Sequence, residues 1–213
     1  NPNNTSSKEM ENLSYEDLAN PKWKGKIAIR SSSNMYNQSL VASLVSNHGV
    51  KETETWAKDL VSNFARKPQR NDRAQITAVA NGEAELAIAN SYYVGIMLSG
   101  SAGKEQLEAA NKVKIHFPNQ NNRGAHINIS GAGILQYSPN SKNATKFLEF
   151  LVAERVQDYM VNLSFEYPVL EGVSPHPSIA KFGTEFKEDR TSVADYGRYN
   201  TDAVMLMDRS GWQ

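Results

Sequence analysis

Leu86-Ala87-Ile88-Ala89-Asn90-Ser91-Tyr92-Tyr93 is a short apolar run, then two small polar residues, then a pair of tyrosines. Leu86 to Ala89 reads as a buried strand, and Asn90-Ser91 ends it. Inside a strand, neighbouring side chains face opposite sides of the sheet. Just past its end the chain turns, so Tyr92 and Tyr93 can converge. A Tyr-Tyr pair taken alone most often serves packing. Two phenol oxygens converging in a polar pocket also suit a hard, highly charged cation such as Fe³⁺, because hard cations take oxygen ligands.

Toward the N-terminus, Lys26-Ile27-Ala28-Ile29-Arg30 reads as another strand, left by the polar loop Ser31-Ser32-Ser33-Asn34. Met35 to His48 is then a helix, with Leu40, Leu44 and Val45 at helical spacing and Gly49 just past its end. Glu52 to Phe64 is a second helix, with Trp56, Leu60, Val61 and Phe64 on one face, closed by Pro68. Asp72 is the expected cap of a third helix reaching Ala80, and Asn81-Gly82 stops it. Nearer the start, Ser14 is placed to cap a short helix carrying Glu16 and Asp17 in its first turn. Toward the C-terminus, the spacing predicts a helix over Gly103 to Asn111 and strands over Val113 to Phe117 and His126 to Ile129. Further helices are expected over Ser141 to Leu151, Ala153 to Leu163 and Asn200 to Ser210, the last stopped by Gly211. Strands alternating with helices give an α/β fold with a largely parallel sheet. In such folds ligands bind where loops leave the carboxyl ends of strands. Ser31 to Tyr36 and Asn90 to Tyr93 are two such loops, and each sets tyrosine beside small polar residues.

The 213 residues include 23 basic and 23 acidic side chains, a formal net charge of zero. A nucleic-acid binder normally carries a basic excess, so no nucleic-acid partner is expected. At 39% hydrophobic the chain can bury a real core. No apolar run reaches the roughly 18 residues of a membrane span. The opening Asn1-Pro2-Asn3-Asn4-Thr5 shows no signal-peptide pattern, as in a mature secreted chain. With no cysteine, disulfides, thiol catalysis and cysteine-held metal clusters are excluded. There is no nucleophile elbow, P-loop or evident Ser-His-Asp set, so an enzyme is not expected. His48 reads as a surface residue and His116 as a structural one, and neither His126 nor His176 has metal-ligand spacing with another histidine. Gly131-Ala132-Gly133 reads as a turn, Lys104, Glu105 and Glu108 as a solvated helix face, and Met205 and Met207 as packing residues.

Larger blocks of the chain resemble a known family. Tyr15-Glu16-Asp17-Leu18-Ala19 with Trp23-Lys24-Gly25, Asn63-Phe64-Ala65-Arg66 and Ala87 to Tyr93 carry the resemblance. So do Phe117-Pro118-Asn119-Gln120, Asn128-Ile129-Ser130-Gly131-Ala132-Gly133 and Gly211-Trp212. They are similar to the ferric-ion-binding periplasmic proteins of bacterial ABC transporters, in the branch that uses several tyrosines and needs little or no synergistic anion. The resemblance implies the two-lobed, type II periplasmic-binding-protein fold, closing on its cargo like a hinged trap. It implies Tyr36, Tyr92 and Tyr93 as ligands of Fe³⁺. Ser32, Ser33, Asn34 and Asn90 fall near that site, to orient ligands or hold a small synergistic anion. It also implies delivery to an ABC-transporter permease, in the periplasm or from a lipid anchor outside the cytoplasmic membrane.

Family members normally have a further segment before the point where this chain starts. The expected organisation is therefore a connector over 1–7, the second lobe over 8–116 with the tyrosine site, and the returning part of the first lobe over 117–213. The fold is incomplete at the N-terminus, and the missing part is expected in a preceding segment or a separate chain. Without it, sheet edges and apolar surface should be exposed.

A free tyrosine has a pKa of about 10 and is a phenol at neutral pH. A bound trivalent cation deprotonates it, and three phenolates cancel the charge of Fe³⁺. If Val94 begins a helix, its positive end favours phenolate further. An alternative cargo on the same fold is a small anion such as phosphate or sulfate, for which Ser31 to Ser33 offer donors. Convergent phenolates would repel it.

Overall fold

The computed structural model describes residues 10–69 and 71–213. Two short strands lie at its centre. β1 (Ile27–Ala28) pairs in parallel with β2 (Leu86–Ala87), with Ile27 opposite Leu86 and Ala28 opposite Ala87. Ile27 also makes a parallel bridge to Phe64, so three chain segments lie side by side. Between the strands run α1 (Met35–Ser62) and α2 (Asp72–Ala80). After β2 come α3 (Ser91–Leu98) and α4 (Lys104–Ala110). Beyond them lie α5 (Ser141–Leu151), α6 (Glu154–Ser164), α7 (Pro177–Ala180), α8 (Val193–Arg198) and α9 (Asn200–Arg209).

Gly49 divides α1 into the two expected helices. Its φ of 79° and ψ of 164° are non-helical and favour glycine. Both halves bury one face: Leu40, Val41, Leu44 and Val45 before the break, and Trp56, Ala57 and Leu60 after it. Val41, Leu44, Val45, Trp56, Ala57 and Leu60 share a core with Leu13, Leu18, Trp23, Ile27 and Ile29. Leu206, Met207 and Trp212 complete it. The C-terminal residues, which the sequence division groups with 117–192, thus pack against α1. Trp212 lies against Trp56 and Phe64, with ring centroids 6.5 and 5.6 Å apart. A second core joins α2, α3 and α4 through Ile76, Ala80, Val94, Met97, Ala109 and Ala110.

The structure departs from the sequence reading in several places. Val113 to Phe117 and His126 to Ile129 are not strands. Instead, Ala125 bridges Glu188 in parallel. Both stretches have strand-like composition, but a strand exists only where a neighbour accepts its hydrogen bonds. The cap of α2 is Asn71, not Asp72: the Asn71 side chain accepts the Ala74 N–H. Helix α3 begins at Ser91 rather than Val94, so both tyrosines sit in its first turn. Ser14 takes the expected capping role, its Oγ accepting the Asp17 N–H at 3.1 Å. Met207 is buried, whereas Met205 is exposed. Helices α7 and α8 were not foreseen.

Phe147, Phe150 and Tyr159 on α5 and α6 are 58%, 57% and 64% exposed. Among the described residues no helix is long and apolar enough to cross a membrane.

Gly124 fixes the 119–125 turn. Its φ is +98°, and a Cβ there would lie 2.5 Å from the Glu188 backbone. Gly124→Ala is therefore expected to cost at least about 1–3 kcal/mol. Urea unfolding should show this as a lower midpoint with an unchanged slope.

Candidate metal site

The site forms where the chain leaves β1 and β2 at their carboxyl ends. After β1, the loop from Arg30 to Asn34 is tied to the start of α1. The Asn34 side-chain oxygen accepts the N–H groups of Tyr36 and Asn37 at 3.2 and 3.4 Å. Asn37 Nδ2 donates to the carbonyls of Arg30 and Ser31, and Gln38 Nε2 to that of Ser32. This places Tyr36 in the first turn of α1. After β2, Asn90 leads into α3 and sets Tyr92 and Tyr93 in its first turn. The first turn of a helix favours negative charge.

The two loops bring the tyrosines together. Tyr92 Oη donates to Tyr36 Oη at 3.2 Å. The Tyr92 and Tyr93 rings lie 4.2 Å apart, tilted by 32°. All three side chains are half-buried. Burial, and beyond it the neighbouring Tyr36 and Tyr93 hydroxyls, push the Tyr92 phenol well above its ordinary pKa. At neutral pH without a metal it is therefore a protonated donor.

The other expected residues divide. Asn34 is committed to capping α1, and Ser33 is exposed with its hydroxyl 3.0 Å from that of Ser31. Ser32 sits in the same loop, its N–H donating to the Gln213 carbonyl. Asn90 Oδ1 accepts from Asn128 Nδ2 at 3.0 Å, while Asn90 Nδ2 is buried without a partner among the described residues.

Sequence reasoning missed a polar frame around the tyrosines. Arg30 Nη1 donates to Asp72 Oδ2 at 2.5 Å, and the guanidinium lies 5.7 Å from the centre of the Tyr36 ring. Asp72 Oδ1 accepts the Asn90 N–H at 3.0 Å. Ser39 Oγ lies 2.6 Å from Asn128 Oδ1 and 3.0 Å from His126 Nε2. Burial pushes His126 down to about 4, so the ring is neutral at pH 7. Arg30, a charge at the end of an apolar strand, was a signal for the frame that the sequence reading did not use.

The remaining histidines lie elsewhere. His48 pairs with Glu16 at 2.8 Å, His116 faces the Leu13 carbonyl, and His176 caps α7. Among the described residues no cluster of three histidine, aspartate or glutamate side chains is placed to hold a metal.

Comparison with known proteins is consistent throughout. The family described as bacterial extracellular solute-binding protein matches residues 5–187. Iron uptake protein A1 of Synechocystis sp. is 51% identical over 206 residues, covering 97% of this chain and 57% of its own length. The structure of Trichodesmium IdiA (FutA) in complex with iron and citrate superposes with a TM-score of 0.95 at 50% identity. It covers all of this chain and 66% of its own. The ferric binding protein from Campylobacter jejuni gives a TM-score of 0.90 at 36% identity, covering all of this chain and 66% of its own. The chain spans a little over half the length of the curated relatives it matches, 57% of one and 58% of another.

Proposed function

The chain belongs to the bacterial extracellular solute-binding protein family, and we propose from this that it carries ferric iron, held by Tyr36, Tyr92 and Tyr93. Its structural relatives have the two-lobed type II fold, of which the chain covers about two thirds. The observation that carries the reading is the convergence of Tyr36 and Tyr92, with oxygens 3.2 Å apart and the Tyr93 ring packed alongside. Three phenolates neutralise Fe³⁺ without leaving an unpaired charge in a partly dry cleft. The start of α3 adds a favourable field at two of them. Three ligands leave an octahedral ion incomplete, and the remaining positions fall to residues outside this chain, to water or to a small anion. Asn90 Nδ2, buried without a partner among the described residues, supports an anion beside the metal, and Ser32 and Ser33 on the β1 loop offer further donors. We place the protein in the periplasm, or anchored outside the cytoplasmic membrane, and its partner is an ABC-transporter permease. Within this proposal, 8–116 is the second lobe with the tyrosines and 117–213 the returning part of the first.

The pH dependence follows from the protonation states. Tyr92 is a phenol in the metal-free protein, and binding removes its proton. Protons therefore compete with iron, and affinity falls as pH falls. Each proton displaced contributes up to about tenfold per pH unit. Competition against a ferric chelator, corrected for the chelator's own titration, should show affinity dropping steadily between neutral and mildly acidic pH. A flat profile would count against tyrosinate ligation.

A further inference from the structure

We propose that Asp72 is a positioning residue of the tyrosine site, clamping its two ligand-bearing loops together without touching the cargo. The proposal rests on the ferric reading above. The Asp72 side chain is 3% exposed, at the first residue of α2. One carboxylate oxygen takes the Arg30 guanidinium from the β1 loop at 2.5 Å, and the other takes the Asn90 N–H from the β2 loop at 3.0 Å. Arg30 packs over Tyr36, and Asn90 opens the helix that carries Tyr92 and Tyr93. One buried carboxylate thus connects both halves of the site.

The direct link between the halves is the Tyr92-to-Tyr36 hydrogen bond. That bond needs a phenolic proton, and ferric ligation removes it. Two phenolates left face to face also repel each other. The contacts of Asp72 use no ligand atom, so they persist in both states and hold the loops at ligand spacing before and after metal enters. Preorganised ligands bind more tightly because less ordering remains to be done on binding. Asn128 spans the same two halves through side chains, donating to Asn90 Oδ1 while its own Oδ1 lies 2.6 Å from Ser39 Oγ on α1, whereas Asp72 holds the Asn90 backbone and Arg30. A carboxylate at a helix start is itself favoured by the local field, which helps a buried charge persist here.

The test compares wild type with Asp72→Ala and Asp72→Asn, the latter keeping an acceptor for the Asn90 N–H. Ferric affinity is measured by chelator competition, and amide hydrogen exchange is followed at 34–37 and 90–93 in the metal-free chain. Loss of an outer support of a metal site typically weakens binding about 10–100-fold. Asp72→Ala is expected to fall in that range and to exchange faster at both segments, with Asp72→Asn between it and wild type. Folded variants with wild-type affinity and wild-type exchange at both segments would overturn the proposal. If Asp72→Ala does not fold, Asp72→Asn decides by the same readings. If wild type itself gives no tyrosinate band with iron, the ferric reading fails, and the exchange data still decide whether Asp72 clamps the loops.

Discussion

Tyr92→Phe/Tyr93→Phe is expected to bind ferric iron at least about 100-fold more weakly than wild type, since even supports one shell further out are worth 10–100-fold. Phenylalanine keeps the ring pair at 4.2 Å, so packing of the first turn of α3 survives. What disappears is two of the three oxygens and two of the three negative charges that balance the ion. The stability cost should be small. Tyr36 loses its donor, but its side chain is only half-buried and water can replace the bond. The expected pattern is an unfolding midpoint close to wild type with a collapse of affinity in chelator competition. Wild-type affinity in this variant would remove the tyrosine pair from the site.

Trp212→Ala is expected to cost about 3–5 kcal/mol of stability. The indole is 1% exposed and fills the space between Trp56 and Phe64. Its Nε1 donates to the Arg30 carbonyl at 3.0 Å, so truncation removes a donor as well as leaving a cavity. The adjacent Gln213 carbonyl accepts the Ser32 N–H. The end of the chain thus closes the core and pins the β1 loop together. Urea denaturation should show the loss, and a change below about 1 kcal/mol would mean that the site collapses around the gap.

What was legible in the sequence was local. Gly49, Asn81-Gly82 and Gly211 mark helix ends because the chain there adopts conformations that few residues tolerate. The rule that ligands bind where loops leave parallel strands marked the Ser31–Tyr36 and Asn90–Tyr93 loops, and the family resemblance named Tyr36 with Tyr92, 56 residues apart; the structure brings their hydroxyls to 3.2 Å. What was illegible depends on partners. Val113 to Phe117 looks like a strand, but pairing is not a property of one segment. Asn71 and Asp72 are both good caps, and only the arrival of Arg30, 42 residues away, assigns Asp72 to a different task. The start of α3 was misplaced by three residues because Ser91-Tyr92-Tyr93 has no strong helical pattern of its own.

If these tyrosines ligate ferric iron, the visible spectrum reports it. Ferric iron, supplied as a weak chelate, is titrated into the purified chain at neutral pH while absorption and resonance Raman spectra are recorded. A broad tyrosinate-to-iron charge-transfer band that saturates at one iron per chain is expected, with tyrosinate ring modes enhanced under it. Saturable iron binding without that band or those modes would contradict tyrosinate ligation.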